Sequence, residues 1–228
     1  MLTIGHSTLP IETFLAILRD NGVRTLADIR TIPKSRHNPQ FAQENLSRSL
    51  EEAGIEYRWH RALGGLRHPR KDSVNIGWRN TSFRGYADYM QTPEFAAAVV
   101  ELLNTGPAGH TVIMCAEAVP WRCHRSLVAD ALTVHGVPVE HIYHDAHGKS
   151  RREPHKLTSF LRTHDQRLWY PAEDDLFTSS PEALTLRQAP ESREPPLASA
   201  SAAASSKSAN AISTQTARTG SDRATREK

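Results

Sequence analysis

Apolar and polar residues alternate between two rhythms along most of the chain. A short apolar run, Leu2-Thr3-Ile4, breaks at Gly5-His6-Ser7. Ile11, Phe14, Leu15 and Leu18 then recur at helical spacing behind Pro10, until Asn21-Gly22 stops the pattern. Thr25 to Arg30 reads as a second strand. Pro33 and Pro39 frame a loop with Ser35, Arg36 and His37, and Phe41 to Glu52 predicts a second helix ended at Gly54. Ile55 to Trp59 alternates with period two, as a half-exposed strand does. Residues 61–81 have no period, and so long a structureless stretch in a compact domain marks a functional or mobile segment. Pro93 opens a helix with Phe95, Val99, Leu102 and Leu103 on one face. An apolar strand over 111–115 leads through a polar loop to a helix predicted over 123–135. Val139 to Tyr143 reads as the final strand, and an amphipathic segment from Lys156 to Arg162 is expected to cap the sheet. Strand and helix in alternation predict an α/β fold, a single three-layer, Rossmann-like domain with a mostly parallel sheet, over residues 1–170.

Composition divides the chain at that boundary. All four Trp, all five Tyr and all twelve His precede Pro171, and no aromatic residue follows Phe177. Residues 171–228 hold little that could offset chain entropy, and Ser, Ala and Pro dominate them from about Ser179, so a disordered tail is expected there. Residues 1–170 carry 21 cationic and 17 acidic side chains, a modest excess that excludes a chromatin-type basic protein. No signal peptide is read, and no run approaches the roughly 20 apolar residues a membrane span needs. Two cysteines without a secretory signal place the protein, as an expectation, in the cytoplasm with reduced thiols.

Chemistry concentrates in Cys115-Ala-Glu117-Ala-Val-Pro120-Trp-Arg122-Cys123-His124-Arg125, which holds both cysteines. A parallel sheet brings its strand-to-helix loops to one edge, where ligands bind. His6 and Ser7 follow the first strand, Arg30, Lys34 and Ser35 the second, Cys115 and Glu117 the fourth, and His144 and Asp145 the fifth. These are expected to converge. Placing Cys123 and His124 in the first turn of a helix, beside Arg122 and Arg125, would lower the Cys123 thiol pKa and make Cys123 the better nucleophile. Cys115, at the end of an apolar strand, reads instead as a small core residue. A phosphate held by backbone N–H groups, Arg122 or Arg125, and Ser126 is one use of the loop. It is not a Cys-x5-Arg loop, because Arg122 follows Cys115 by seven positions with no intervening glycine. A metal on Cys115, Cys123 and His124, with Glu117 as a further ligand, is an alternative whose spacing matches no usual paired-cysteine pattern. A redox pair would lack the Cys-x-x-Cys spacing.

Seven cations against one acid lie between Arg58 and Arg84, interleaved with Trp59, Trp78, Phe83 and Tyr86. Arg67, Arg70, Lys71 and Trp78 are therefore candidates for nucleic-acid contact, cations to phosphates and indole to bases. A solvated basic face with core aromatics is the competing explanation.

Several of these motifs occur together. Gly5-His6-Ser7, Asp28-Ile29-Arg30 with Pro33 and Ser35, Leu63-Gly64-Gly65, Tyr86 to Met90, and Met114-Cys115-Ala116-Glu117 followed by Cys123-His124-Arg125 resemble the domain-of-unknown-function 488 family, from residue 2 to about 145. The resemblance implies a compact α/β domain in which His6, Ser7, Arg30, Ser35, Cys115, Glu117, Cys123, His124 and Arg125 cluster at one sheet edge. It implies no reaction. The expectation from the residues is a cysteine-dependent transferase or hydrolase with an anionic substrate, phosphate-bearing and nucleotide- or nucleic-acid-derived. Cys123, His124, Glu117 and His6 would be catalytic, and Ser7, Arg30, Ser35, Arg122 and Arg125 would bind substrate. The alternatives are a non-catalytic nucleic-acid-binding module and a small metal-binding protein. No cofactor is evident, no membrane partner is expected, and the oligomeric state is left open.

Overall fold

The computed structural model describes residues 1–172. The expected tail over 171–228 falls, except for Pro171 and Ala172, outside the described residues. Strands β1 (Leu2–Gly5), β2 (Thr25–Asp28), β3 (Glu56–Trp59), β4 (Thr111–Cys115), β5 (Glu140–His144) and β6 (Ser150–Pro154) form one sheet in the order β3-β2-β4-β1-β5-β6. The first five are mutually parallel, and β6 runs antiparallel on the β5 edge. Helices α1 (Ile11–Asp20) and α2 (Gln43–Glu52) pack on one face. Helices α3 (Thr81–Tyr89), α4 (Pro93–Leu103) and α5 (Arg125–Val134) pack on the other.

Strand period sorts the core into two layers. Leu26, Val112, Met114 and Ile142 join Phe14, Leu18, Leu46 and Leu50, while Ala27, Ile113 and Cys115 join Tyr86, Phe95, Leu102, Leu127 and Val128. β4 is buried along its whole length, as an apolar strand between two parallel neighbours should be. The α/β expectation holds. Among the described residues no helix is long and apolar enough to cross a membrane.

Four local expectations need correction. Phe41 ends a short 3-10 turn, Pro39–Phe41, and α2 begins two residues later at Gln43. The 61–81 stretch is irregular yet anchored: buried Asp88 accepts from Arg70 N (2.8 Å), Ser73 Oγ (2.6 Å) and Asn75 Nδ2 (2.7 Å). One carboxylate on α3 thus gathers the loop from Arg70 to Asn75, which periodicity cannot reveal. β5 is not the last strand, since β6 follows with polar residues in a mostly exposed edge. Lys156 to Arg162 forms no helix but leads into a small hairpin of β7 (Arg162–His164) and β8 (Arg167–Trp169).

That C-terminal part is tied down by a buried polar chain. Thr3 Oγ1 meets His141 Nδ1 at 2.7 Å, His141 Nε2 meets His155 Nδ1 at 2.9 Å, and His155 Nε2 meets Asp130 Oδ1 at 2.9 Å. Asp130 also accepts from Thr158 Oγ1 and Tyr170 Oη. Because a carboxylate only accepts, the bonds run one way: Thr3 donates to His141, His141 to His155, and His155 to Asp130. Burial, reinforced by His155, pushes the His141 pKa down to about 3.

An unfolded histidine titrates near 6.5, so below that pH the unfolded state binds the proton that native His141 refuses. The His141 contribution is fully present above about pH 6.5 and declines as pH falls toward about 3. At roughly 1.4 kcal/mol per pH unit, pH 5 should remove about 2 kcal/mol relative to pH 7. Denaturant midpoints at the two pH values, in the native chain and in His141→Gln, measure it. An equally steep pH dependence in the variant would rule out His141 as its source.

Candidate functional site

β4 lies between β1 and β2, so three loops leave the same stretch of sheet edge. The ladder continues past the strands: His6 N donates to Cys115 O, Ser7 N to Ala116 O, and Ile29 N to Met114 O, at 2.9–3.1 Å. Above this edge opens a cleft of about 630 Å³, lined by His6, Ser7, Arg30, Lys34, Ser35, Cys115, Glu117, Arg122, Cys123 and His124 among others. Ten sequence-level candidates therefore do converge. His144 and Asp145 do not line it; His144 Nε2 is spent on Gly5 O at 2.7 Å.

Gly5 permits the crossing of these loops. A Cβ there would sit 1.7 Å from Glu117 O and 2.5 Å from an Arg125 nitrogen. Ser7 turns the chain with a φ of 49°, a left-handed conformation that costs a non-glycine residue free energy and clusters at functional sites.

One wall is a buried ion pair. Asp28 is fully buried at the end of β2 and takes Arg30 Nε at 2.9 Å and Nη2 at 2.5 Å, together with Tyr57 Oη at 2.9 Å. Burial works against the Arg30 charge, but Asp28 more than offsets it and the guanidinium pKa rises. Arg30 Nη1 donates to Phe41 O at 2.8 Å and to His6 Nε2 at 3.3 Å. His6 stacks on Phe41 at 4.0 Å and donates from Nδ1 to Ser7 O at 2.8 Å. Burial, then the neighbouring Arg30 charge, lowers its pKa to about 4. Arg30 and His6, expected as anion ligand and acid–base group, are thus held mainly by each other and by the wall. The Asp28–Arg30 spacing was visible in the sequence, but the clue that it marks a self-contained pair was not.

The floor holds both thiols and an imidazole. α5 starts at Arg125, with His124 as its N-cap, so Cys123 precedes the helix and does not sit in its first turn. Cys115 and Cys123 are both buried. His124 Nε2 lies 3.1 Å from Ile29 O, and its Nδ1 lies 3.9 Å from Cys115 Sγ and 3.7 Å from Cys123 Sγ. The carbonyl can only accept, so Nε2 carries a proton and Nδ1 is the ring atom that faces the sulphurs. The expected order of the thiols reverses. The neighbouring Cys123 thiol draws the Cys115 pKa down against the effect of burial, with His124 and Arg125 assisting, whereas burial pushes Cys123 up. Gly65 passes over the ring, where a Cβ would come within 2.5 Å of His124 Nδ1.

The remaining candidates separate by exposure. Arg125 is 1% exposed and donates to Glu117 O and Ala118 O, so it braces the loop from inside and does not line the cleft. Ser35 lines the cleft while its Oγ accepts Asn38 N. Lys34 and Arg122 are exposed on the cleft walls and form no salt bridge among the described residues. The basic stretch is largely consumed internally. Arg67 bonds Gly64 O and Ala62 O and lies over the Tyr89 ring, Arg70 pairs with Asp72, and among the described residues Lys71 and Arg79 project without such a contact. Trp78 is half-buried and packs on Phe83, Phe160 and Tyr170 at 4.9–5.4 Å, against the edge of the core.

A family model described as domain of unknown function DUF488 matches residues 10–132, more than half of the chain. No curated protein and no solved structure matches it.

Removing one member of a buried ion pair strands the other. Asp28→Leu alone should cost about 3–5 kcal/mol, while Asp28→Leu combined with Arg30→Met should recover a substantial part. Equal losses in the single and double variants, measured by chemical denaturation, would show that the pair is not what stabilises this wall. Trp78→Ala should lower stability by about 3 kcal/mol as a core truncation, which thermal melting will show; an unchanged melting temperature would return the indole to the surface.

Proposed function

The chain belongs to the domain-of-unknown-function 488 family, and we propose that this member is an enzyme acting on an anionic, phosphate-bearing substrate in the cleft at the C-terminal edge of its sheet. The observation that carries the reading is the juxtaposition, in one cleft, of a thiol–imidazole floor with walls bearing two exposed cations that form no salt bridge among the described residues. Lys34 and Arg122 attract the anion, and Ser7 and Ser35 add hydroxyls beside it. Ile32 and Leu66 are 60% and 70% exposed on the same lining, a surface suited to an apolar or planar portion of the ligand.

Chemistry starts from Cys115. His124 Nδ1 takes the thiol proton, and the Ile29 carbonyl steadies the imidazolium through Nε2. The sulphur then bonds to the electrophilic centre. The leaving group departs with the proton returned by His124, and water or a second acceptor releases the adduct. Water as acceptor makes the protein a hydrolase, and any other acceptor makes it a transferase. We place the nucleophile at Cys115 and not at Cys123, because Cys115 lines the cleft beside His124 and its thiol pKa is drawn down, whereas burial pushes that of Cys123 up. Glu117 stands exposed at the rim, where it suits proton exchange with solvent.

In chelator-treated protein at neutral pH, iodoacetamide should modify Cys115 several-fold faster than Cys123, as read by peptide mass spectrometry. Inorganic phosphate and nucleoside monophosphates, titrated calorimetrically at low salt, should bind. Binding should weaken at least tenfold in Lys34→Glu and Arg122→Glu, both solvent-exposed positions, without a change in melting temperature. No binding by the native chain, or binding indifferent to both charge reversals, would overturn the anionic-substrate reading.

A further inference from the structure

We infer that Cys115, Cys123 and His124 form a three-donor site for a thiophilic divalent cation, zinc first among them, with a fourth coordination position reached from the cleft. The inference shares the cleft with the reading above and differs from it on what the thiolates do: once a metal is bound, both sulphurs are ligands and neither is free to attack.

Geometry carries it. The two Sγ atoms and one imidazole nitrogen all lie within 4.8 Å of one another. A tetrahedral zinc with Zn–S of about 2.3 Å and Zn–N of about 2.05 Å separates its sulphur and nitrogen ligands by about 3.6 Å. The observed Nδ1 to Sγ separations are 3.9 and 3.7 Å. Both nitrogen–sulphur edges therefore lie within a few tenths of an ångström of the tetrahedral value, and the sulphur–sulphur edge lies within 4.8 Å, against about 3.8 Å around a tetrahedral zinc.

The surroundings are those of a ligand set. A metal-binding imidazole donates its other N–H to a carbonyl or carboxylate, which fixes ring and tautomer. His124 does this through Ile29 O, leaving Nδ1 as the donor toward the sulphurs. Gly65 leaves room over Nδ1 that no side chain could share. Two sulphurs and one nitrogen match zinc among the common divalent ions and do not suit magnesium or calcium, which take oxygen. Closed structural sites have four protein ligands, whereas three ligands beside a cleft leave a position for water or substrate. Among the described residues no fourth His, Cys, Asp or Glu atom joins the cluster. An anion attracted by Lys34 and Arg122 could reach that position, so metal and anion binding would be linked.

The test uses the full chain, reduced and stripped with chelator, then titrated with Zn²⁺ alone and with Co²⁺ alone. One zinc per chain should remain after dialysis, and Co²⁺ should give the sulphur-to-cobalt charge-transfer absorption of two thiolates. Zinc should also slow alkylation of both cysteines in the native chain at least tenfold, a readout that needs no variant. Cys115→Ser with Cys123→Ser should abolish the cobalt band and reduce zinc affinity at least a hundredfold, with circular dichroism confirming the fold. Zinc held equally well by the double variant would place binding on other histidines and overturn the inference. So would unprotected thiols in the presence of zinc, or an internal disulfide that, once reduced, takes up no metal. Fast Cys115 alkylation with no zinc uptake removes the metal and leaves the nucleophile. Zinc uptake without anion binding removes the anionic substrate and leaves the metal.

Discussion

Strand β4 is clamped between two parallel partners, and nearly everything at the candidate site follows from that. Its register with β1 sets Gly5 against Cys115, and its register with β2 sets Asp28 against Met114. All three chains must turn away from the sheet at the same height, because parallel strands end on one edge. The amide of His6 is bound to the carbonyl of Cys115 and that of Ile29 to the carbonyl of Met114. Residues as far apart in sequence as His6 and His124 thus converge without any loop having to be long. The thiol of Cys115 has no freedom to leave, since its own backbone is part of the ladder.

Holding three loops together at one edge brings polar groups into the interior, and the buried carboxylates among them are each answered by dedicated partners. Asp28 satisfies Arg30 and Tyr57, Asp88 gathers the 70–75 segment, and Asp130 ends the chain of bonds that ties β1, β5, α5 and the C-terminal hairpin. Buried carboxylates of this kind are costly if left alone and rigid when fully bonded. Three of them fix parts of the structure that have little apolar surface of their own: a cleft wall, an irregular loop and a polar edge strand.

The same accounting separates arginines that shape the protein from those that can meet a ligand. Arg30, Arg67 and Arg125 look alike in sequence to Arg122 and Lys34. The first three donate to a carboxylate or to backbone carbonyls within the fold, and Arg125 is almost wholly buried. Only Lys34 and Arg122 combine exposure, a place on the cleft wall and no salt bridge among the described residues. A guanidinium with five donors readily serves as internal scaffolding.

The alternation of strand and helix, the α/β class, the parallel sheet and the gathering of His6, Ser7, Arg30, Ser35, Cys115, Glu117 and His124 at one edge were all legible in the sequence. They depend on short-range period and on the rule that parallel strands share a polarity. What the sequence could not show is which of these groups are already spoken for. The start of α5 at Arg125 and not at Cys123, the reversal of the two thiols, the pairing of Arg30 with Asp28 and the packing of half-buried Trp78 each depend on partners remote in sequence or on a helix boundary. Propensity sets such boundaries only to within a few residues. Polarity and period along a chain say which faces are buried. The partner of a buried charge, and the distance between two sulphurs and an imidazole, exist only once the sheet has brought the loops together.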